Sequence, residues 1–187
     1  GLHAGATDTR TASWADLDDD GLPELFVGWA SAVTAPGATL GRSALYLNQG
    51  TTPPTFVDVA GTPGPGPGID PIGFVQSAEW VDVTGEGRLD LVLARSAGPG
   101  TAEGNLVVRT NAGAGDLRGS GSGWDLVIDE DLTEARTLDV DGNAVPDLIG
   151  VAGLGTQVHM ALGSGDSTVR SFVDVSASSG VSAGAAF

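Results

Sequence analysis

The sequence predicts an all-β protein made of short strands that repeat along the chain. Three observations support this prediction: the abundance of turn-forming residues, an acidic loop that recurs three times, and a short apolar run directly after each loop. Among 187 residues there are 30 glycines and 10 prolines. That composition disfavours long helices and is typical of short strands joined by many turns.

The acidic loops recur in one frame and indicate an internal repeat. They span 16–24, 82–90 and 139–147, so their starts are separated by 66 residues (from 16 to 82) and 57 residues (from 82 to 139). We number the positions within each loop from 1 to 9. Oxygen-bearing side chains occupy positions 1, 3, 5 and 9 in every copy, and position 6 is Gly21, Gly87 or Ala144. Such fixed spacing is the signature of a repeat architecture.

Four strand-like segments accompany each loop in the same order. The first segment precedes the loop, with Trp14 and Trp80 each two residues ahead of the first acid. The others are short apolar runs: 25–28, 91–94 and 148–151, then 44–48, 106–110 and 157–161, then 56–59, 124–128 and 172–175. Runs of this length and composition predict buried strands. Four strands in a repeat of ~60 residues are typical of the antiparallel blades of a β-propeller.

The repeat spacing predicts three blades and the first strand of a fourth. We expect the first blade at 1–60, the second at 61–130, the third at 131–176, and the extra strand within 177–187, because 180–185 resembles 1–6. Propellers usually close with four to eight blades, so open sheet edges are expected. The chain is then either a piece of a longer polypeptide, which we favour, or a subunit that joins other copies of itself through those edges.

The three loops are candidate calcium sites. Calcium takes six to eight oxygen ligands, and alternating acids on one tight turn bring several carboxylates together. The predicted ligands are the side chains at positions 1, 3, 5 and 9 and the backbone carbonyl at position 7. They are Asp16, Asp18, Asp20, Leu22 and Glu24 in the first loop; Asp82, Thr84, Glu86, Arg88 and Asp90 in the second; and Asp139, Asp141, Asn143, Val145 and Asp147 in the third. Up to three Ca²⁺ ions are expected, and Mg²⁺ is the lesser candidate because it requires stricter octahedral geometry.

Sequence differences between the loops predict different calcium affinities, and one alternative to metal binding stays open. Affinity is expected to be highest in the first loop, because Thr84 is a weak neutral ligand and Ala144 must take a turn conformation that Gly tolerates better. An EF-hand is excluded because loop position 12, which needs an acid, is Val27, Leu93 or Gly150. The alternative to metal binding is three solvated Asp-Gly turns, which three in-phase copies disfavour.

Charge and composition exclude several classes of protein. The net charge is −16, and all eight cationic residues are Arg. A nucleic-acid binder or a polybasic membrane anchor needs the opposite sign. No apolar run approaches the ~20 residues that span a bilayer. The chain contains no Cys, so disulfides and thiolate metal sites are impossible and cysteine usage says nothing about the compartment.

The motifs resemble the FG-GAP or VCBS repeats of integrin-α-like β-propellers, most closely the cartilage-acidic-protein-like (ASPIC/UnbV) branch. The resemblance rests on WADLDDDGLPELFV at 14–27, LYLNQG at 45–50, FVDV at 56–59 and FVDVSASSG at 172–180. It implies an extracellular or cell-surface propeller with calcium in the first hairpin of each blade, at the ligands given above. Thr84 and Ala144 depart from the family pattern and no Gly-Ala-Pro segment follows in order, so integrin-style ligand binding is not carried over.

Three classes of function follow from these features. The first is a non-enzymatic calcium-binding module for adhesion, matrix or surface assembly through protein or glycan contacts. The second is a lectin, for which Trp29 is the expected exposed aromatic, whereas Trp14 and Trp80 are expected to pack between blades. The third is a propeller enzyme such as a polysaccharide lyase, for which Arg95 and Arg109 are the in-strand arginines. We favour the first class because no catalytic constellation is evident in the sequence.

Overall fold

The computed structural model describes residues 9–29, 43–61, 68–69, 74–97, 105–118, 131–152, 157–165 and 171–180. The strands within these residues are β1 (Thr9–Ala15), β2 (Glu24–Trp29), β3 (Ala44–Asn48), β4 (Phe56–Asp58), β5 (Gly68–Ile69), β6 (Val75–Val81), β7 (Asp90–Arg95), β8 (Asn105–Arg109), β9 (Asp116–Leu117), β10 (Leu132–Leu138), β11 (Asp147–Ala152), β12 (Gln157–Ser164) and β13 (Ser171–Asp174). One short helix, α1 (Ser176–Ser179), follows β13. The prediction of an all-β fold is confirmed.

Three antiparallel sheets follow one another along the chain. Their strand orders are β1-β2-β3-β4, β6-β7-β8 and β10-β11-β12-β13. The first and third sheets have the four strands that the sequence predicts. The fourth strand predicted for the second sheet, 124–128, lies outside the described residues, as do 181–187, where most of the predicted extra strand falls. Strand order equals chain order in each sheet, as expected when consecutive antiparallel strands pair.

The first hairpin of each sheet repeats the same register. Trp14 pairs with Leu25, Trp80 with Leu91 and Thr137 with Leu148. The first residue of each pair lies two positions before the first acid of its loop, and the leucine follows the last acid of that loop. Each hairpin also contains one register shift, located between Thr9 and Thr11, between Val75 and Ser77, and between Leu132 and Glu134. These shifts occur at equivalent positions, and a bulge at a fixed place strengthens the local twist. The sequence repeat is therefore also a structural repeat.

The middle sheet is buried between the other two. Leu91 of β7 belongs to a core cluster with Phe26 of the first sheet, whereas the next residue, Val92, belongs to a cluster with Leu148 of the third. Adjacent side chains of a strand point to opposite faces, so both faces of β7 are covered. This explains why β7 is a continuous apolar run without polar alternation.

The first strands of the three sheets are neighbours. β1 contacts β6, and β6 contacts β10. The Ala135 N–H of β10 donates to Ser77 Oγ at 2.8 Å, and the Thr137 N–H donates to Glu79 Oε2 at 2.9 Å. Side chains of β6 thereby satisfy backbone donors on the edge of β10. The described residues form a row of stacked sheets and do not close a barrel or propeller, so the number of blades stays a prediction.

Two elements were not predicted from the sequence. β5 and β9 form a parallel pair of two residues each, in which Ile69 lies beside Leu117, and both side chains are buried in the core shared by the first two sheets. Strands this short carry no periodic signal. The helix α1 has four residues, and no helix in the described part of the chain is long and apolar enough to cross a membrane.

The expected environments of two tryptophans are wrong. Trp29, predicted to be exposed, is only 6% exposed, because β2 is an inner strand with nearly all of its residues buried. Trp14, predicted to pack between blades, is 53% exposed, and its ring contacts Phe56 of its own sheet. Trp80 packs as predicted: its ring meets Phe26 of the first sheet edge-on, with the centroids 6.4 Å apart.

Candidate metal centres

The three acidic loops share one backbone conformation. Positions 4 and 6 lie in the left-handed region in every loop, with φ values of 59° and 83° at Asp19 and Gly21, 73° and 81° at Gly85 and Gly87, and 79° and 65° at Gly142 and Ala144. A side chain with a Cβ disfavours this region. Ala144 therefore adopts the unfavourable turn conformation that the sequence predicted for it.

The carboxylate at position 1 holds each turn closed. Its Oδ1 accepts the N–H of position 5 at 3.1 Å in Asp16, 3.1 Å in Asp82 and 3.0 Å in Asp139. Its Oδ2 accepts the N–H of position 6 at 2.9, 2.7 and 2.9 Å in the same order. Bonds of this kind explain why Asp is favoured at the start of such a turn. These hydrogen bonds organise the backbone of each loop.

The acid at position 9 is the first residue of the second strand and lies beneath the loop. Glu24, Asp90 and Asp147 are 0% exposed. Each accepts the N–H of position 2, at 2.9 Å from Leu17, 2.9 Å from Val83 and 2.7 Å from Val140. One oxygen of every position-9 carboxylate is thus used to tie the loop to the sheet.

Two of the three loops bring three carboxylates together. Oxygen atoms of Asp16, Asp18 and Glu24 all lie within 4.8 Å of one another, and so do those of Asp139, Asp141 and Asp147. The second loop, whose residues are all described, does not form such a group. Two groups of three acidic side chains could therefore hold a metal ion.

The first group contains buried oxygens without a hydrogen-bond partner. Glu24 Oε1 and Asp18 Oδ1 are inaccessible to solvent and form no hydrogen bond of normal geometry with the described residues, although the N–H groups of Asn48 and Asp20 lie close enough to lower the pKa values of Glu24 and Asp18. Burial raises the pKa of Glu24, and the charge of Asp18 raises it further. Burial also raises the pKa of Asp18, and the charges of Asp20 and Asp16 act in the same direction. Unsatisfied buried carboxylate oxygens are costly, and a cation between them would remove the cost.

The third group is more exposed, and hydrogen bonds within the protein already use its oxygens. Asp147 Oδ1 accepts the Gly163 N–H at 2.8 Å. Asp141 Oδ1 accepts the Asn143 N–H at 3.1 Å, and its Oδ2 accepts Asn143 Nδ2 at 3.1 Å. Each carboxylate oxygen has a second lone pair, so these contacts leave acceptor capacity for an ion. The third loop is thus a second, less desolvated candidate centre.

Positions 5 and 7 are joined in the first and third loops by a backbone contact. Asp20 Oδ1 accepts the Leu22 N–H at 2.7 Å, and Asn143 Oδ1 accepts the Val145 N–H at 2.7 Å. In the second loop, position 5 is Glu86 and position 7 is Arg88, and their side chains form an ion pair. The predicted ligands at positions 5 and 7 therefore have matching geometry only in the first and third loops.

Sequence reasoning missed Asn111, which connects the first two loops. It follows β8 and is 3% exposed. Its Nδ2 donates to the Leu17 carbonyl at 3.0 Å, and its N–H donates to Asp90 Oδ1 at 2.8 Å. Leu17 and Asp90 belong to different loops, so Asn111 links the two across the sheet interface. The signal that could have found it is a repeat: Asn111-Ala-Gly113 matches Asn48-Gln-Gly50 at the end of the first sheet's third strand, and in both the Gly N–H donates to the Asn Oδ1.

An apolar pocket borders the third loop. It encloses about 270 Å³ and is lined by Val81, Thr137, Leu138, Asp139, Ala144 and Pro146. Leu138 is 61% exposed, and Val140, the next apolar residue along the chain, is 48% exposed.

The fold and the loops define the protein as a stack of antiparallel sheets whose first hairpins carry acidic loops. Comparison with protein-family models, with curated proteins and with solved structures found no match. The assignment to a family and a function therefore rests on the loop pattern and its geometry.

Proposed function

We propose that this chain is a calcium-binding, non-enzymatic module of the FG-GAP/VCBS β-propeller type. It serves adhesion, matrix or surface assembly outside the cell or at its surface, through protein or glycan contacts. The observation that carries the proposal is the first loop, where Asp16, Asp18 and Glu24 converge and two buried oxygens have no partner among the described residues. The shared conformation of the third loop supports a second ion at Asp139, Asp141 and Asp147.

Calcium is favoured over magnesium by the chemistry of the donors. Both groups offer carboxylate oxygens from one short turn, and the position-7 carbonyls of Leu22 and Val145 add neutral oxygens nearby. Calcium accepts irregular sets of six to eight such ligands, whereas magnesium requires a near-ideal octahedron. Sites of this kind in extracellular modules bind at about 10⁻⁴–10⁻³ M, which suits calcium levels outside the cell.

A binding role is supported over an enzymatic one by where the perturbed groups lie. Among the described residues, the raised pKa values belong to loop carboxylates, and burial is their first cause. The lowered pKa of Asp174 results from a hydrogen bond from Ser176 beside the helix α1. Catalytic sites instead combine perturbed acids and bases in one cleft. The net charge of −16 further supports a role in a calcium-rich medium.

Calcium titration with a matched variant tests the proposal. We expect the melting temperature of calcium-depleted protein to rise when Ca²⁺ is added at millimolar levels, because the ion binds only the folded loops. Asp16→Asn should remove part of that rise. Asp131→Asn, outside the loops, should leave it intact. A melting temperature that is the same with and without calcium would refute metal binding.

Lectin-like binding is the second candidate, and the exposed Trp14 favours it. Its side chain is 53% exposed and lies two residues before Asp16, beside the first candidate metal centre. Exposed aromatic rings next to a loop site are suited to stacking on sugars. Glycan binding should then require Trp14 and should weaken in Trp14→Ala, while Val57→Ala, which alters another exposed apolar residue, has no effect. Equal binding by both variants would eliminate this role for Trp14.

A further inference from the structure

We propose that the second loop takes no metal ion, because the guanidinium of Arg88 occupies the role that the ion has in the other two loops. The protein then binds two ions and not three. The inference rests on the proposed function and deepens it, since it assigns which loops depend on calcium.

Arg88 is placed to neutralise the second loop. Its Nη2 forms an ion pair with Glu86, the acid at position 5. Its Nε donates to the Asn111 carbonyl at 2.9 Å, which anchors the side chain against the end of β8. The first and third loops have Leu22 and Val145 at this position and therefore no cation of their own. Arg is well suited to this role because its planar guanidinium bonds a carboxylate and a carbonyl at once.

The two other carboxylates of the second loop, Asp82 and Asp90, accept several hydrogen bonds from protein donors. Asp90 Oδ1 accepts the Asn111 N–H at 2.8 Å, and its Oδ2 accepts the N–H groups of Val83 at 2.9 Å and Thr84 at 3.0 Å. Burial raises the pKa of Asp90, but these three hydrogen bonds oppose that rise. Glu24, at the same position of the first loop, accepts the Leu17 N–H at 2.9 Å, whereas the Asn48 N–H, which lowers its pKa, does not form a hydrogen bond of normal geometry with its buried Oε1. The first loop lacks a positive group where the second already has one.

Asp82, at position 1, accepts the same three backbone donors as Asp139 of the third loop, and the Thr84 hydroxyl in addition. Its Oδ1 accepts the N–H groups of Gly85 at 2.6 Å and Glu86 at 3.1 Å and the Thr84 hydroxyl at 3.2 Å. Its Oδ2 accepts the Gly87 N–H at 2.7 Å. Thr84 stands where the other loops have Asp18 and Asp141, so the second loop lacks the third carboxylate of the other two groups. Since the second loop belongs to the sheet that is packed between the other two, the centre of the stack is held without calcium.

Calcium stoichiometry separates this inference from the proposed function. By isothermal titration or equilibrium dialysis of the full chain with Ca²⁺, we expect two ions in the wild type, one in Asp16→Asn, one in Asp139→Asn, and two in Asp82→Asn. Three ions in the wild type, with one lost in Asp82→Asn, would overturn the inference while the proposed function stands. No bound ion in the wild type would refute the proposed function itself.

A second variant tests the role of the Arg88 guanidinium, and its result does not depend on the number of calcium ions bound. Arg88→Gln keeps the apolar stem but removes the charge. In calcium-free buffer its melting temperature should be lower than that of the wild type by about 2–6 °C, because Glu86 and the Asn111 carbonyl lose their partner. Added Ca²⁺ should raise the melting temperature of the variant by at least as much as that of the wild type, because Glu86 is then free to bind an ion. Unchanged melting in calcium-free buffer would overturn the role assigned to Arg88.

Discussion

Glu24 and Asp90 occupy the same loop position and are equally buried, yet their oxygens have different surroundings. Asp90 accepts three backbone hydrogen bonds, whereas Glu24 accepts one from Leu17, and the Asn48 N–H near it does not form a hydrogen bond of normal geometry with its buried Oε1. A buried charge without a partner destabilises the fold until a cation reaches it. The stability of the first loop is therefore expected to depend on a metal ion through Glu24, whereas the stability of the second loop does not depend on one through Asp90.

The first prediction at this scale concerns Glu24→Gln. Without calcium the variant should melt at the same temperature as the wild type or higher, because the buried negative charge is gone. With calcium it should melt lower than the wild type, because a charged ligand is lost. Differential scanning calorimetry in calcium-free and calcium-containing buffers measures both. A variant that is less stable in both buffers by the same amount would show that Glu24 acts only through packing.

The second prediction concerns Asn111→Ala. The change removes the Nδ2 donor to the Leu17 carbonyl, so a buried acceptor loses its partner at the interface of the first two sheets. The expected loss is about 1–3 kcal/mol in the free energy of unfolding, measured by urea denaturation. Asn48→Ala is the matched control, because its bond to the Pro23 carbonyl is long, at 3.4 Å, and exposed. Equal losses in the two variants would contradict the linking role of Asn111.

Strands and loops differ in how far the sequence predicts them. The apolar runs at 25–28, 91–94 and 148–151 are buried strands as predicted, because a strand inside a stack needs apolar residues on both faces. The turn of each loop was also predictable, since Asp and Gly at fixed spacing favour it. Trp29 was wrongly predicted because exposure depends on neighbouring sheets. The Arg88 ion pair was missed because spacing alone assigned position 7 a carbonyl role.

The loops together predict an unusual pH dependence in calcium-free buffer. Burial raises the pKa of Glu24, Asp18 and Asp90 above the ordinary values. Such acids favour folding while protonated: the stabilisation is complete below the unfolded pKa and is lost as the pH rises through the folded pKa. Their contribution should therefore lower the melting temperature as the pH rises above the ordinary carboxyl pKa and through the raised pKa values of the folded protein.

Calcium should reverse that trend, because the ion favours the charged carboxylates. The difference in melting temperature between calcium-containing and calcium-free samples should widen as the pH rises over the same range. Glu24→Gln should reduce the widening. A difference that does not change with pH would show that the buried carboxylates do not bind the ion.

At the scale of the whole molecule, three sheets share two apolar cores, and the middle sheet contributes to both. The acidic loops project from equivalent hairpins, so ions at the first and third loops would bind the two outer sheets of the row. The middle sheet carries the loop that Arg88 neutralises. Calcium depletion is then expected to loosen the flanking sheets before the centre, which agrees with an acidic chain that relies on an external cation.

The central claim is that two of the three loops bind calcium, and a crystal structure of the full chain grown with Ca²⁺ tests it most directly. The account predicts electron density for an ion among Asp16, Asp18 and Glu24 and for another among Asp139, Asp141 and Asp147. The second loop should show the guanidinium of Arg88 and no ion. Loops without an ion at millimolar calcium, or with an ion in the second loop alone, would contradict the account.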